Sequence, residues 1–203
     1  MANITTLLFD VGGVILTNGW SHELREAAAQ HFGYDYDSVE ERHQQIADPF
    51  ECGQINLDDY LNRTVFAQSR SFTKADLIRF MEEQSQPHST SLAVLQRLVN
   101  QGKYQLATVN NESTHINLYR IRTFELTRYF SAFFSSCFLG VTKPHCEIFQ
   151  KALHILQKSG DECLFVDDRK ENAVAARQCG INAVHLPQPE DLAEVLRGEG
   201  VLV

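Results

Sequence analysis

The sequence predicts an α/β fold, a three-layer parallel sheet with an all-helical segment inserted near its start. Three observations carry this. A first apolar run, residues 4–9, stops abruptly at Asp10 and is followed by Gly12 and Gly13, which reads as a buried strand ending in a tight turn. Between Thr17 and Gln86 nothing reads as a strand. From Pro87 onward, short apolar runs alternate with helical stripes, the pattern of a parallel sheet covered on both faces.

Each element has a local reason. Ser21 caps a helix with Leu24, Ala28 and Phe32 at four-residue spacing, and Gly33 stops it. Asp37 with Glu40 starts a second helix through Ile46, which Asp48-Pro49 is expected to break. Asn56 with Asp59 opens a third, with Leu57, Leu61 and Val65 on its apolar face and Tyr60 beside it. Thr73 with Asp76 opens a fourth carrying Leu77, Phe80 and Met81. After Pro87, a stripe of Leu92, Leu95 and Val99 ends at Gly102. Residues 104–109 and 133–136 are the second and third strands. Pro144 is expected at the first position of a helix with Ile148, Phe149, Ala152, Leu153 and Leu156. Residues 163–166 form a fourth strand ending in Asp167-Asp168. A helix through Ala173, Ala176 and Cys179 stops at Gly180, residues 183–186 form a fifth strand, and residues 191–197 a last helix.

Composition bounds the partners. The 203 residues are 43% hydrophobic and carry a formal net charge of -8, which disfavours nucleic acid or an anionic membrane surface as the main partner. An anionic small substrate would need local cations or a metal. The five cysteines (Cys52, Cys137, Cys146, Cys163 and Cys179) are scattered and odd in number, so reduced thiols are expected. The N-terminus has no basic leader and no apolar stretch reaches the length of a membrane span, so the expectation is a soluble, cytoplasmic protein.

The polar residues fall on one edge of this scheme. Asp10 ends the first strand, Asn110 the second, and Asp167-Asp168 the fourth, while Lys143 precedes a helix. Ligands of open parallel sheets bind beyond the carboxyl ends of the strands. Each residue alone also reads as a turn former, a helix cap or a surface charge; together they suggest one chemistry. Asp10 and Asp168 offer hard oxygen ligands suited to Mg²⁺. A carboxylate beside a metal can attack phosphorus and form an aspartyl-phosphate. Lys143 and the Asn110 amide can hold phosphoryl oxygens.

These motifs resemble those of the haloacid dehalogenase-like hydrolase superfamily, most of whose members are phosphatases. The resemblance rests on Phe9-Asp10-Val11-Gly12-Gly13-Val14, Val109-Asn110, Gly140-Val141-Thr142-Lys143-Pro144, and Phe165-Val166-Asp167-Asp168 with Asn172, in the family's order. It implies a Rossmann-like core of residues 1–17 and 86–203 and a helical cap of residues 18–85. It also implies Asp10 as nucleophile and metal ligand, Gly12 as a backbone-carbonyl ligand, and Asp168 as the acidic ligand, with Mg²⁺ as cofactor. Lys143, Asn110 and the Val11–Gly12 backbone would bind phosphate, with Asp167 and Asn172 in support. Two positions depart from the pattern: Gly12 stands where family phosphatases carry an acid–base Asp, and Val109 where Ser or Thr precedes Asn. The leading expectation is a Mg²⁺-dependent phosphatase of a small phosphorylated metabolite, slowed by those departures. A non-catalytic ligand- or partner-binding relative, and a metal-free 2-haloacid dehalogenase, stay open as alternatives. Trp20, His22, Arg42 and His43 are cap candidates for specificity.

Overall fold

The computed structural model describes residues 3–203. Five parallel strands, β1 (Thr6–Phe9), β2 (Gln105–Asn110), β3 (Ala132–Ser135), β4 (Cys163–Asp167) and β5 (Asn182–His185), form one sheet in the order β3-β2-β1-β4-β5. β1 lies at its centre, with Phe9 paired to Thr108 on one side and Val166 on the other. Because strand side chains alternate, Leu7 and Phe9 face one layer and Leu8 the other, and all three are fully buried.

Ten α-helices among the described residues accompany the sheet: α1 (His22–Phe32), α2 (Tyr36–Glu51), α3 (Leu57–Arg63), α4 (Lys74–Glu83), α5 (Ser89–Gln101), α6 (Thr114–Thr123), α7 (Ser136–Leu139), α8 (Cys146–Leu156), α9 (Lys170–Gln178) and α10 (Leu192–Gly198). Leu95 and Leu98 of α5 and Leu192 and Leu196 of α10 pack on the Leu7–Phe9 face. Ile148 and Phe149 of α8 and Ala176 of α9 pack on the Leu8 face. The expected α/β architecture with a parallel, two-sided sheet is therefore what the chain adopts. No described helix is long and apolar enough to cross a membrane.

Helices α1 to α4 share a separate core built on Phe50, Tyr60, Leu61 and Leu77. Their starts follow from the caps in the sequence: Ser21, Asn56 and Thr73 accept the backbone N–H three residues on, and Thr73 completes a capping box with Asp76. The chain enters and leaves this segment side by side. Thr17 N–H donates to the Gln86 carbonyl (2.8 Å), and Thr17 Oγ1 donates to the Gln84 carbonyl (2.7 Å) and accepts from Gln86 N–H (2.9 Å).

Four features differ from the sequence reading. α2 does not break at Asp48-Pro49 but runs through Pro49 to Glu51. An internal proline typically costs about 3 kcal/mol. Here Phe50, 3% exposed, stacks on Tyr60 at 3.9 Å between centroids, and that burial offsets the lost hydrogen bond. α8 starts at Cys146 rather than Pro144, because His145 N–H closes a turn onto the Thr142 carbonyl (3.1 Å). α6 has no counterpart in the sequence reading, and two of its three buried residues, Asn117 and Arg120, are polar. Finally, Cys146 and Cys179 form a disulfide, correcting the expectation of reduced thiols at these two positions. They are 33 residues apart in sequence, and the packing of α8 beside α9 sets their Cα atoms 5.8 Å apart.

Candidate active site

Parallel strands bring their carboxyl ends to one edge, and the polar residues collect there. Asp10 follows β1, Asp167 ends β4, and Asp168 is next in the chain. One carboxylate oxygen from each lies within 4.8 Å of the others. Gly13, at φ +70, makes this approach feasible: a Cβ there would sit 2.2 Å from Asp168 Oδ2.

Lys143 is the cation of the group. Its Nζ lies 3.0 Å from Asp10 Oδ1 and 2.6 Å from Asp167 Oδ2, and its side chain is 1% exposed. Asp167 is fully engaged: it also accepts from Arg169 N–H (2.8 Å) and from Asn172 Nδ2 (3.0 and 3.1 Å). The Asp168 carboxylate, by contrast, has no hydrogen-bond partner among the described residues, while its backbone carbonyl accepts from His185 Nε2 (2.9 Å).

Three carboxylates thus face one buried ammonium, and the charges do not balance. Burial pushes the Asp10 carboxyl up to about 7, with Asp167 and Asp168 adding to the rise and Lys143 opposing it. Burial and Asp167 likewise raise Asp168. Burial lowers Lys143, but Asp10 and Asp167 outweigh it and hold the ammonium above its ordinary value. A divalent cation would restore the balance, so the donor set fits one.

The site opens into a cavity of about 160 Å³, lined by Asp10, Gly12, Lys143 and Asp168 from the core and by Trp20, His43 and Glu51 from the helical segment. The Gly12 N–H has no partner among the described residues, whereas Val11 N–H donates to Asp10 Oδ1 (2.7 Å). Asn110 is not on the cavity wall. Its Oδ1 accepts from Ser135 Oγ (2.8 Å), its Nδ2 donates to Asn117 Oδ1 (3.2 Å), and Asn111 lines the wall in its place. Asn111 also brackets the Lys143 backbone, donating to its carbonyl (2.9 Å) and accepting from its N–H (2.8 Å). Thr108, on the opposite face of β2 from Val109, is buried with its hydroxyl unpartnered. Of the four specificity candidates, Trp20 and His43 reach the cavity. His22 instead pairs with Tyr36 (2.7 Å), and Arg42 donates to the Ser38 carbonyl (2.8 Å).

The haloacid dehalogenase-like hydrolase family model matches residues 4–180, most of the chain and all of this site. The chain belongs to that family. It is a hydrolase. Among relatives of this haloacid dehalogenase-like hydrolase is a sesquiterpene phosphatase of Aspergillus oryzae, 24% identical over 88% of each chain. A flavin mononucleotide hydrolase of Arabidopsis thaliana is 25% identical over 97% of this chain and 78% of that one. A family enzyme from Bacteroides thetaiotaomicron, solved with magnesium and inorganic phosphate, superposes with a TM-score of 0.81 at 22% identity, covering 96% of this chain and 100% of that one.

Several residues at the site of this haloacid dehalogenase-like hydrolase escape sequence reasoning. Glu51 lies beyond the expected helix break. Glu112 is buried beside Arg120, whose Nη1 is 3.5 Å from Glu112 Oε2. Arg120 also donates to the Thr17 carbonyl (2.9 Å) and Ser85 Oγ (3.0 Å), tying the core to both chain segments that lead into the helical unit. Arg120 is a buried polar position of α6, which apolar periodicity does not register, and Glu112 lies in the loop before that helix.

Proposed function

We propose that this chain is a Mg²⁺-dependent phosphoric monoester hydrolase that forms an aspartyl-phosphate on Asp10. The observation that carries the reading is the gathering of three carboxylates around one buried ammonium, with the Asp168 carboxylate left free of protein partners. Asp10, Asp168 and the Gly12 carbonyl would hold the metal. When bound, it neutralises phosphate charge and favours in-line displacement. Its charge also keeps Asp10 ionised, which burial alone opposes.

In this reading Asp10 attacks phosphorus, and Lys143 holds the phosphoryl oxygens against the charge of the nucleophile. Asp167 and Asn172 position the Lys143 ammonium and keep it protonated. The unpartnered Gly12 N–H is a further donor for a phosphoryl oxygen, with Val11 N–H beside it. Asn110, engaged with Ser135 and Asn117, fixes the wall that carries Asn111, and its amide joins the phosphate contacts only by exchanging those partners. The names of the two relatives support the ester class.

Residues 18–85 act as the cap, contributing Trp20, His43 and Glu51 to the cavity and excluding water when seated. The substrate proposed is small and polar. Pockets for drug-sized ligands run from about 300 to 1,000 Å³, whereas this one holds about 160 Å³ and its large apolar residues are only Trp20 and Phe50.

The test is a screen of phosphorylated metabolites with Mg²⁺, run beside an Asp10→Asn control. Phosphate release from small polar monoesters, abolished by chelator and by Asp10→Asn, is the expected result. Retained release in Asp10→Asn would overturn the reading.

A further inference from the structure

Gly12 stands two residues after Asp10 and has no proton to give. Cleaving an alkyl phosphate needs a proton on the leaving oxygen, and hydrolysing an aspartyl-phosphate needs one removed from water. One positioned acid–base group can do both. Most titratable groups on the cavity wall are otherwise engaged. Asp10, Lys143 and Asp168 are committed to the phosphoryl and metal positions. Glu112 is tied to Arg120 and to Ser113 N–H (2.9 Å). His43 Nδ1 shares a hydrogen bond with the Tyr60 hydroxyl (2.9 Å), which also accepts from Trp20 Nε1 (2.8 Å), and burial holds the ring down at about 4, neutral at pH 7. Glu51 remains: it lines the cavity, and its carboxylate has neither a hydrogen bond nor an ion pair among the described residues.

We propose that Glu51, delivered by α2, is the proton donor and acceptor that glycine at position 12 cannot be. In the first step an Asp10 oxygen bonds to phosphorus, the ester P–O bond breaks, and the Glu51 proton passes to the leaving oxygen. In the second, water attacks phosphorus and gives a proton to the Glu51 carboxylate. The Asp10–phosphorus bond breaks, releasing inorganic phosphate and restoring both groups. This inference rests on the phosphatase reading above.

The placement of Glu51 is built, not incidental. Ser136 Oγ donates to the Glu51 carbonyl (2.7 Å) and accepts from Glu112 N–H (3.0 Å), so one hydroxyl joins the end of α2 to the core loop after β2. Two residues on, Gly53 adopts φ +70, and a Cβ there would sit 2.4 Å from the Cys137 carbonyl. The tip of α2 therefore rests directly on the backbone of α7, so the acid reaches the cavity only when cap and core are in contact. Burial, then the charges of Glu112 and Asp48, push the Glu51 carboxyl up to about 7 against the pull of Arg25 and Arg169. Near neutral pH both forms are populated, as a group that gives and then takes a proton requires.

The experiment uses the full chain with Mg²⁺ and acetyl phosphate, whose leaving group needs little protonation. Wild type, Glu51→Gln, Glu51→Asp and Asp10→Asn are compared by phosphate release and by intact mass. Glu51→Gln should still accept the phosphoryl group on Asp10 but hydrolyse it ~10²–10⁴-fold more slowly, so the phosphoenzyme accumulates. Glu51→Asp should recover part of the rate. On an alkyl phosphate taken from the screen, Glu51→Gln should lose the first step as well. Wild-type rates in Glu51→Gln, with Asp10→Asn inactive, would overturn the role of Glu51 and leave the phosphatase reading standing. Turnover that survives in Asp10→Asn would overturn both.

Discussion

Replacing Asp10 by asparagine removes one buried negative charge and keeps the shape. In the metal-free protein the Asp10 carboxyl titrates at about 7 instead of 3.8, chiefly because it is buried. Between these values the folded state keeps a proton that the unfolded chain has released. The neutral carboxyl's contribution to stability is therefore complete below 3.8 and is lost as pH rises through about 7. At ~1.36 kcal/mol per pH unit, that interval corresponds to about 4 kcal/mol. Asparagine does not titrate and should escape this loss. At roughly 2–4 °C per kcal/mol for a chain of this size, the wild-type melting temperature should fall about 8–16 °C further than that of Asp10→Asn between acid and mildly alkaline pH. The assay is thermal unfolding in chelator across that range. Mg²⁺ added at the alkaline end should raise the wild type and leave the variant unmoved. Superimposable pH profiles would refute the argument that burial keeps Asp10 protonated.

Three further outcomes are expected. Gly13→Ala, which must take φ +70 and would set its methyl against the Asp168 carboxylate, should abolish Mg²⁺-dependent activity while far-ultraviolet circular dichroism stays native. Arg120→Met should leave Glu112 buried and unpaired and cost about 3–5 kcal/mol in denaturant unfolding. Gly12→Asp should be accommodated by a shift of the Asn18 side chain, whose terminal oxygen would otherwise lie 2.9 Å from the new Cβ, because the backbone φ there is not in the left-handed region. It should recover alkyl phosphate turnover in a Glu51→Gln background, measured by phosphate release.

The sheet was legible because each strand is a short apolar run bounded by turn residues, and the parallel topology alone then brings Asp10, Lys143 and the Asp167-Asp168 pair to one edge. Three helix starts were legible because capping is local: Ser21, Asn56 and Thr73 need only their own next three residues, whereas α2 is capped by Asp35 and not by Asp37. What stayed hidden depends on distant partners. Pro49 signals a break, and only the stacking of Phe50 on Tyr60 carries α2 on to Glu51. Asn110 ends β2 as read, but its amide is claimed by Ser135, which no spacing in the sequence reveals. The separation of Cys146 from Cys179 conceals that α8 and α9 lie side by side.

The joint at Thr17 and Gln86 has a consequence for how this chain can change. Its two arms are hydrogen-bonded to each other, and Leu16 bridges Pro87 just below them. To the sheet, everything between is a single closed loop whose ends stay together whatever the loop contains. Closing a loop twice as long costs only about 0.6 kcal/mol more. Helices can therefore be lengthened, swapped or added above this joint while the strands, and the carboxylates at their ends, keep their places. Glu51 apart, the wall that these helices add to the cavity is free to drift in sequence over strands that do not have to move with it.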